Sequence, residues 1–134
     1  AHRIPYAATL SLAHREDFLR KVKLAARTRG FRFLLMLSPC PTGWKSEAED
    51  SVELIREAVR CGIFPLYEIF DGARYRINVQ PDVASVDAYV SRQRRYRRET
   101  LDASLIQNRI EEQWRYLRAM TAAFPALDGP HQAL

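Results

Sequence analysis

The sequence predicts an α/β fold: a portion of parallel sheet with flanking helices, then a β-hairpin, then C-terminal helices. Three observations carry this. Short apolar runs at 4–10 and 33–37 alternate with stretches of helical periodicity. An Asp71-Gly72 pair separates two arms of strand-like alternation. Beyond Pro81 the apolar spacing becomes helical as far as Leu117. A chain of 134 residues suits a single core. It divides into residues 1–80, the sheet portion with its hairpin at 65–79, and residues 81–134, a helical extension.

The run from Ile4 to Leu10 reads as the first strand. Ser11 or His14 opens a helix with Glu16 and Asp17 in its first turn and Lys21, Lys23, Arg27 and Arg29 behind them. That order complements the helix dipole. Phe18, Val22 and Ala25 are spaced as its buried stripe, and Gly30 is placed to end it. Phe33 to Leu37 is unbroken apolar sequence, as expected of a strand covered on both faces. It stops at Ser38-Pro39-Cys40-Pro41-Thr42-Gly43. Each proline fixes its own φ and restricts the residue before it, so the turn should be stiff. Its cysteine stands at the C-terminal end of a strand, where α/β sheets bind ligands. Trp44 is placed to fold over the turn as a lid. Ser46 and Glu49 have the spacing of a capping box, for a helix that carries Val52, Ile55 and Val59 on one face and closes at Gly62.

Asp71-Gly72 suits a type I′ turn, which needs positive φ at both central residues. Leu66, Glu68 and Phe70 alternate with Tyr67 and Ile69; Tyr75, Ile77 and Val79 alternate with Arg74, Arg76 and Asn78. Val83, Val86, Tyr89 and Val90 then share a helical face. A last helix begins near Asp102 or Ser104 and carries the stripe Ile106, Ile110, Trp114 and Leu117. From Phe124 onward Pro125, Gly129 and Pro130 predict a loose tail.

Net charge is +5, and Arg92, Arg94, Arg95, Arg97 and Arg98 account for all of it. The chain is thus neutral with one basic knot, unlike a nucleic-acid module with a wholly basic face. The knot has three readings: a grip on phosphates with Tyr96 for stacking, contact with an acidic partner subunit, or a solvated helix face. Partner contact is favoured over nucleic acid. Two cysteines without framework spacing point to a reducing, cytoplasmic setting. No signal peptide and no apolar run near the roughly 18 residues of a membrane span are present, so no membrane contact is expected. A start without Met is expected of a piece of a longer chain. No phosphate-binding glycine loop and no Ser/His/Asp set occur. His2, His14 and His131 are scattered and expected at the surface. The residues alone leave Cys40 open between core filler, an ordinary turn residue and a ligand, since one cysteine is no metal site. Cys61 reads as core filler.

Ser38-Pro-Cys-Pro-Thr-Gly-Trp44, followed by a helix and then Gly62-Ile-Phe-Pro-Leu-Tyr-Glu-Ile69, resembles the C-terminal third of the β subunit of pyruvate:ferredoxin oxidoreductases. These are thiamine-diphosphate-dependent 2-oxoacid:acceptor oxidoreductases. Ile4-Pro-Tyr-Ala-Ala-Thr9, Glu16-Asp-Phe18, Val86-Asp-Ala-Tyr89 and Gln93-Arg-Arg-Tyr96 fit the same pattern. The resemblance implies a thiamine-diphosphate-binding type of sheet. It implies a subunit that binds thiamine diphosphate with Mg²⁺ and carries a [4Fe–4S] cluster, with Cys40 matching the last of its four thiolates. The reaction implied is oxidative decarboxylation of a 2-oxoacid to acyl-CoA, with electrons passed to ferredoxin. Coenzyme A, the 2-oxoacid, ferredoxin and subunits of α, γ and δ type are the implied partners, and the basic knot falls near subunit contacts. The family's other three cluster cysteines and its Gly-Asp-Gly…Asn motif lie upstream. These 134 residues alone are therefore expected to be inactive and to hold neither thiamine diphosphate nor Mg²⁺ tightly. The turn resembles the pyruvate-type branch, although arylglyoxylate and oxalate enzymes are similar there.

Overall fold

In a computed structural model, which describes residues 4–82, 85–96 and 102–127, strand β1 (Tyr6–Ser11) lies inside a four-stranded sheet. Helix α1 (Arg15–Arg27) connects it to β2 (Arg32–Leu37), which pairs with it in parallel from Tyr6 opposite Arg32 to Ser11 opposite Leu37. The single-turn helix α2 (Pro41–Trp44) and α3 (Ser51–Arg60) follow. The hairpin β3 (Tyr67–Phe70) and β4 (Arg74–Ile77) adds two antiparallel strands on the other side of β1, giving the order β2-β1-β3-β4. Helices α4 (Asp87–Ser91) and α5 (Ala103–Ala123) complete the described chain. The sheet is therefore mixed: the expected parallel pair, extended by the expected hairpin. Asp71 and Gly72 both take positive φ, 54° and 66°, as a type I′ turn demands.

Each face of the sheet has its own core. Tyr6, Ala8 and Phe70 pack with Ala25 of α1, joined by Leu34. On the other side Leu37 and Ile77 reach a larger cluster built from α3, α4 and α5, with Leu54, Ile55, Tyr89, Ile110 and Trp114 at its centre. Trp114 is fixed by its indole N–H, which donates to the Gly62 carbonyl at 2.8 Å. Gly62 has φ +81°, and a Cβ there would lie 2.5 Å from Trp114 Nε1. Asp102 caps α5 by accepting the Ser104 N–H at 2.9 Å.

Several local expectations are corrected. The buried stripe of α1 does not include Val22, which is 36% exposed. Lys21 and Ala25 point inward instead. Lys21 is fully buried because its ammonium donates to the Thr9 carbonyl at 2.9 Å and pairs with Asp17 at 2.6 Å. Burial pushes its pKa down, and Asp17 opposes that. Thr28, already extended, ends α1, and Gly30 (φ +88°) bends the chain into β2. The Ser46/Glu49 capping box does not form. Left-handed Lys45 (φ 51°) closes α2, and α3 begins only at Ser51. His14 is half-buried at the start of α1 rather than at the surface, and desolvation lowers its pKa. The chain after α5 is not loose at first: Tyr75 N–H donates to Phe124 O at 2.8 Å and Ala126 N–H to Tyr75 O at 3.0 Å, along β4. Strand β2, expected to be covered on both faces, is an edge strand with Phe33 and Leu35 each 49% exposed and Met36 45% exposed. Val83, Arg97, Arg98, His2, His131, Gly129 and Pro130 lie outside the described residues.

One polar cluster crosses the α1 side. Glu68 is fully buried. Its carboxylate accepts from Tyr6 Oη at 2.7 Å, from Arg20 at 3.0 and 2.9 Å in a two-pronged pair, and from Asn78 Nδ2 at 2.7 Å. Burial alone would raise its pKa, but the hydrogen bonds from Arg20, Tyr6 and Asn78 outweigh that and hold it below the ordinary carboxylate value. A depressed carboxyl contributes stability above its unfolded pKa and loses it as pH falls through the folded value. Unfolding free energy should therefore drop as pH falls below about 4.3. In Glu68→Gln that drop should be shallower, and stability at neutral pH lower by about 3 kcal/mol, as expected when one partner of a buried pair is removed. Urea titrations between about pH 7 and 3 measure both. Gly62→Ala should cost about 2 kcal/mol or more in the same assay, because φ is left-handed and the new methyl meets the Trp114 ring.

Candidate functional site

The site is assembled where β2 runs out. After Leu37, Ser38 and Pro39 belong to neither strand nor helix, and Cys40 (φ −132°, ψ 87°) stands at the N-cap of α2. Proline suits the position after it, the first residue of the helix, where no N–H partner is needed. Trp44 N–H closes the turn on Cys40 O at 2.8 Å. Gly43 N–H points at Cys40 Sγ, 3.4 Å away. A Cβ on Gly43 would lie 3.1 Å from that sulfur, so glycine leaves the sulfur room. Cys40 is exposed. The arrangement holds a sulfur by its backbone and offers it one N–H donor.

Trp44 holds the turn from below. It is buried rather than lying over the turn as a lid, and it meets Tyr89 edge-on with ring centroids 6.3 Å apart. Here the structure joins two features that are far apart in sequence. Arg95 lies over Trp44 at 4.9 Å from the ring centroid, and its backbone N–H donates to Trp44 O at 3.3 Å. Its guanidinium also stacks on Tyr96 at 4.7 Å. Arg94 N–H donates to Lys45 O, and its side chain pairs with Glu47 at 3.0 Å. Arg92 reaches Asp50 at 3.8 Å. Three of the five arginines of the knot thus clasp the segment that follows Cys40. The ion pairs are solvent-exposed and each contributes at most about 1 kcal/mol; the cation–π stack is of similar size. The match was latent in the sequence, because 47–50 carries Glu47, Glu49 and Asp50.

Cys61 is buried in the larger core, with its thiol directed at Ala58 O at 3.7 Å, and burial raises its pKa. It does not join Cys40. Among the described residues no group of three or more His, Cys, Asp or Glu is placed to hold a metal ion. At this turn the described residues supply one cysteine sulfur, and a metal ion held there would need its other ligands from elsewhere. No described helix is long and apolar enough to cross a membrane. The Glu68 cluster escaped sequence reasoning, since its members Tyr6, Arg20, Glu68 and Asn78 share no motif.

No protein-family model matches the chain. Similarity to whole proteins is clear. Over 128 residues, 92% of the chain, it is 37% identical to ketoisovalerate oxidoreductase subunit VorB of Pyrococcus furiosus. Over 119 residues, 87% of the chain, it is 44% identical to pyruvate synthase subunit PorB of Methanocaldococcus jannaschii. Over 101 residues, 75% of the chain, it is 41% identical to pyruvate synthase subunit PorB of Methanothermobacter thermautotrophicus. The matches span 41%, 40% and 35% of those subunits, so the chain covers about two fifths of the length of the first two. Taken with the mixed α/β sheet, these similarities place the chain in the β subunits of the 2-oxoacid:ferredoxin oxidoreductases, as a C-terminal portion of one.

Proposed function

We propose that this chain is the part of a 2-oxoacid:ferredoxin oxidoreductase β subunit that presents one thiolate, Cys40, to a [4Fe–4S] cluster. The observation that supports it is the exposed Cys40 sulfur at the end of β2, in a chain similar to the VorB and PorB subunits. The whole enzyme would decarboxylate a 2-oxoacid oxidatively, a chemistry supplied by thiamine diphosphate with Mg²⁺, both held mainly by residues outside this chain. The acyl group passes to coenzyme A, and electrons pass through [4Fe–4S] clusters to ferredoxin. This chain's own contribution is positional. Pro41 and Trp44 hold Cys40 rigid, and Gly43 N–H supplies a hydrogen bond of the kind that tunes a cluster's potential. Other subunits of the assembly are its partners, and the outward sides of Arg92 and Arg94 are available to them.

In the assembled enzyme, Cys40→Ala should lose the iron and the electron-paramagnetic signal of one cluster while the subunits remain associated. Unchanged iron content and signal would overturn the assignment. The Cys40 turn resembles the pyruvate-type branch more than the 2-oxoglutarate type. The assembly should therefore show a higher kcat/KM with pyruvate than with 2-oxoglutarate, and the reverse order would reject the pyruvate-type reading.

A further inference from the structure

The basic knot and the Cys40 turn meet at one side chain. The Arg95 guanidinium lies 4.9 Å from the Trp44 ring centroid and 4.7 Å from that of Tyr96, and its Nη2 donates to Tyr96 Oη at 3.0 Å. Trp44 is buried, with Tyr89 edge-on against it, so Arg95 covers a ring that the larger core already holds. Its neighbours in the knot act differently. The side chains of Arg92 and Arg94 reach carboxylates, Asp50 and Glu47, and are 45% and 70% exposed. Pairs of that kind are weak and screened by salt. A guanidinium on an aromatic face is attracted to the ring, and its planar shape stacks there as an ammonium cannot.

From Trp44 the restraint runs to the sulfur in two steps. Trp44 N–H donates to Cys40 O at 2.8 Å and closes the single turn of α2. Inside that turn Gly43 N–H points at Cys40 Sγ, 3.4 Å away. Glycine has more backbone freedom than any other residue, so the anchored ring that follows Gly43 is what keeps this N–H in place. We infer that Arg95 is a positioning residue: by stacking on Trp44 it keeps Gly43 N–H on the Cys40 sulfur, and it thereby raises the reduction potential of the cluster that Cys40 ligates. The inference rests on the reading of Cys40 as a cluster ligand. Its sign follows from electrostatics. A reduced cluster carries one more negative charge, so an N–H dipole aimed at a ligating sulfur favours the reduced form. Loss of that dipole moves the potential down. Arg95 acts through Trp44, since its contacts are with the two rings and the Trp44 carbonyl.

Redox titration of the assembled enzyme, followed by the electron-paramagnetic signal, tests this in Arg95→Lys and Arg95→Met. Lysine keeps the charge and loses the planar stack; methionine loses both. In both variants the potential of the Cys40 cluster should fall, by about tenfold in the reduction equilibrium, or ~59 mV for one electron. Amide hydrogen exchange in the same samples should become at least tenfold faster in peptides covering residues 42–45, with β1 unchanged. An unchanged potential in Arg95→Lys would overturn the proposal, whether or not Arg95→Met is shifted, because charge and not position would then be all that Arg95 supplies. Unchanged exchange at residues 42–45 in both variants would overturn it as well. Failure of the Cys40 assignment looks different: Cys40→Ala would then keep the cluster, whatever the Arg95 variants do.

Discussion

A single buried carboxylate ties the sheet to its helix. Glu68 sits on β3, yet its partners come from β1 (Tyr6), α1 (Arg20) and the end of the hairpin (Asn78). A charge removed from water is costly unless every lone pair is used and an opposite charge is near. Here both conditions are met, by a two-pronged arginine and two neutral donors. The consequence is geometric more than energetic. Sliding β3 along β1, or rotating α1, would strand a carboxylate in an apolar layer, so the register of Ala8 opposite Glu68 is held. The same demand explains why Lys21 is inside: Asp17 serves both Arg20 and Lys21.

From that register the position of the cysteine follows. β2 is aligned to β1 residue by residue, so Leu37 ends opposite Ser11 and the turn starts at the sheet's edge. There the chain cannot wander. Pro39 and Pro41 limit the backbone on either side, and Trp44 pulls the turn into the larger core against Tyr89. Arg95 and Arg94 hold the same segment from outside. A metal ligand benefits from such support, since small displacements of a thiolate change both affinity and potential. The basic knot thus has a structural role inside the chain, before any role toward a partner. Arg92, Arg94 and Arg95 lie beside the turn that presents Cys40.

Much of the architecture was legible in the sequence, for reasons that can be named. Asp71-Gly72 marked the hairpin because few residue pairs accept two positive φ values in succession. The stripe of α5 was legible because Ile110, Trp114 and Leu117 repeat at helical spacing and do point into the core. The stripe of α1 misled, because periodicity treats lysine as an outward residue while Lys21 is drawn in by Asp17 and the Thr9 carbonyl. The Ser46/Glu49 pair misled because a cap needs a helix to begin there, and left-handed Lys45 had already ended a shorter one. The clasp of the knot on residues 44–50 was hidden because it joins segments more than forty positions apart.

The disagreement over β2 is of another kind. The reading from Phe33 to Leu37 as a strand covered on both faces followed from composition, and composition reflects the environment in which a sequence functions. Exposure in the structure reflects only the residues present. Where the two conflict along a whole strand, while the opposite edge is closed and the helical core is buried, the conflict does not indict the strand assignment. It marks an apolar strand edge that the described residues leave uncovered. Phe33, Leu35 and Met36 of β2 and Leu19 and Val22 of α1 are exposed, with Phe31 between them in the chain, and Cys40 lies three residues beyond the last of the strand. Other exposed apolar residues, such as Val52 on α3 and Leu105 and Tyr116 on α5, stand apart from this edge. The uncovered strand edge and the sulfur proposed as a cluster ligand thus meet at one end of the same strand.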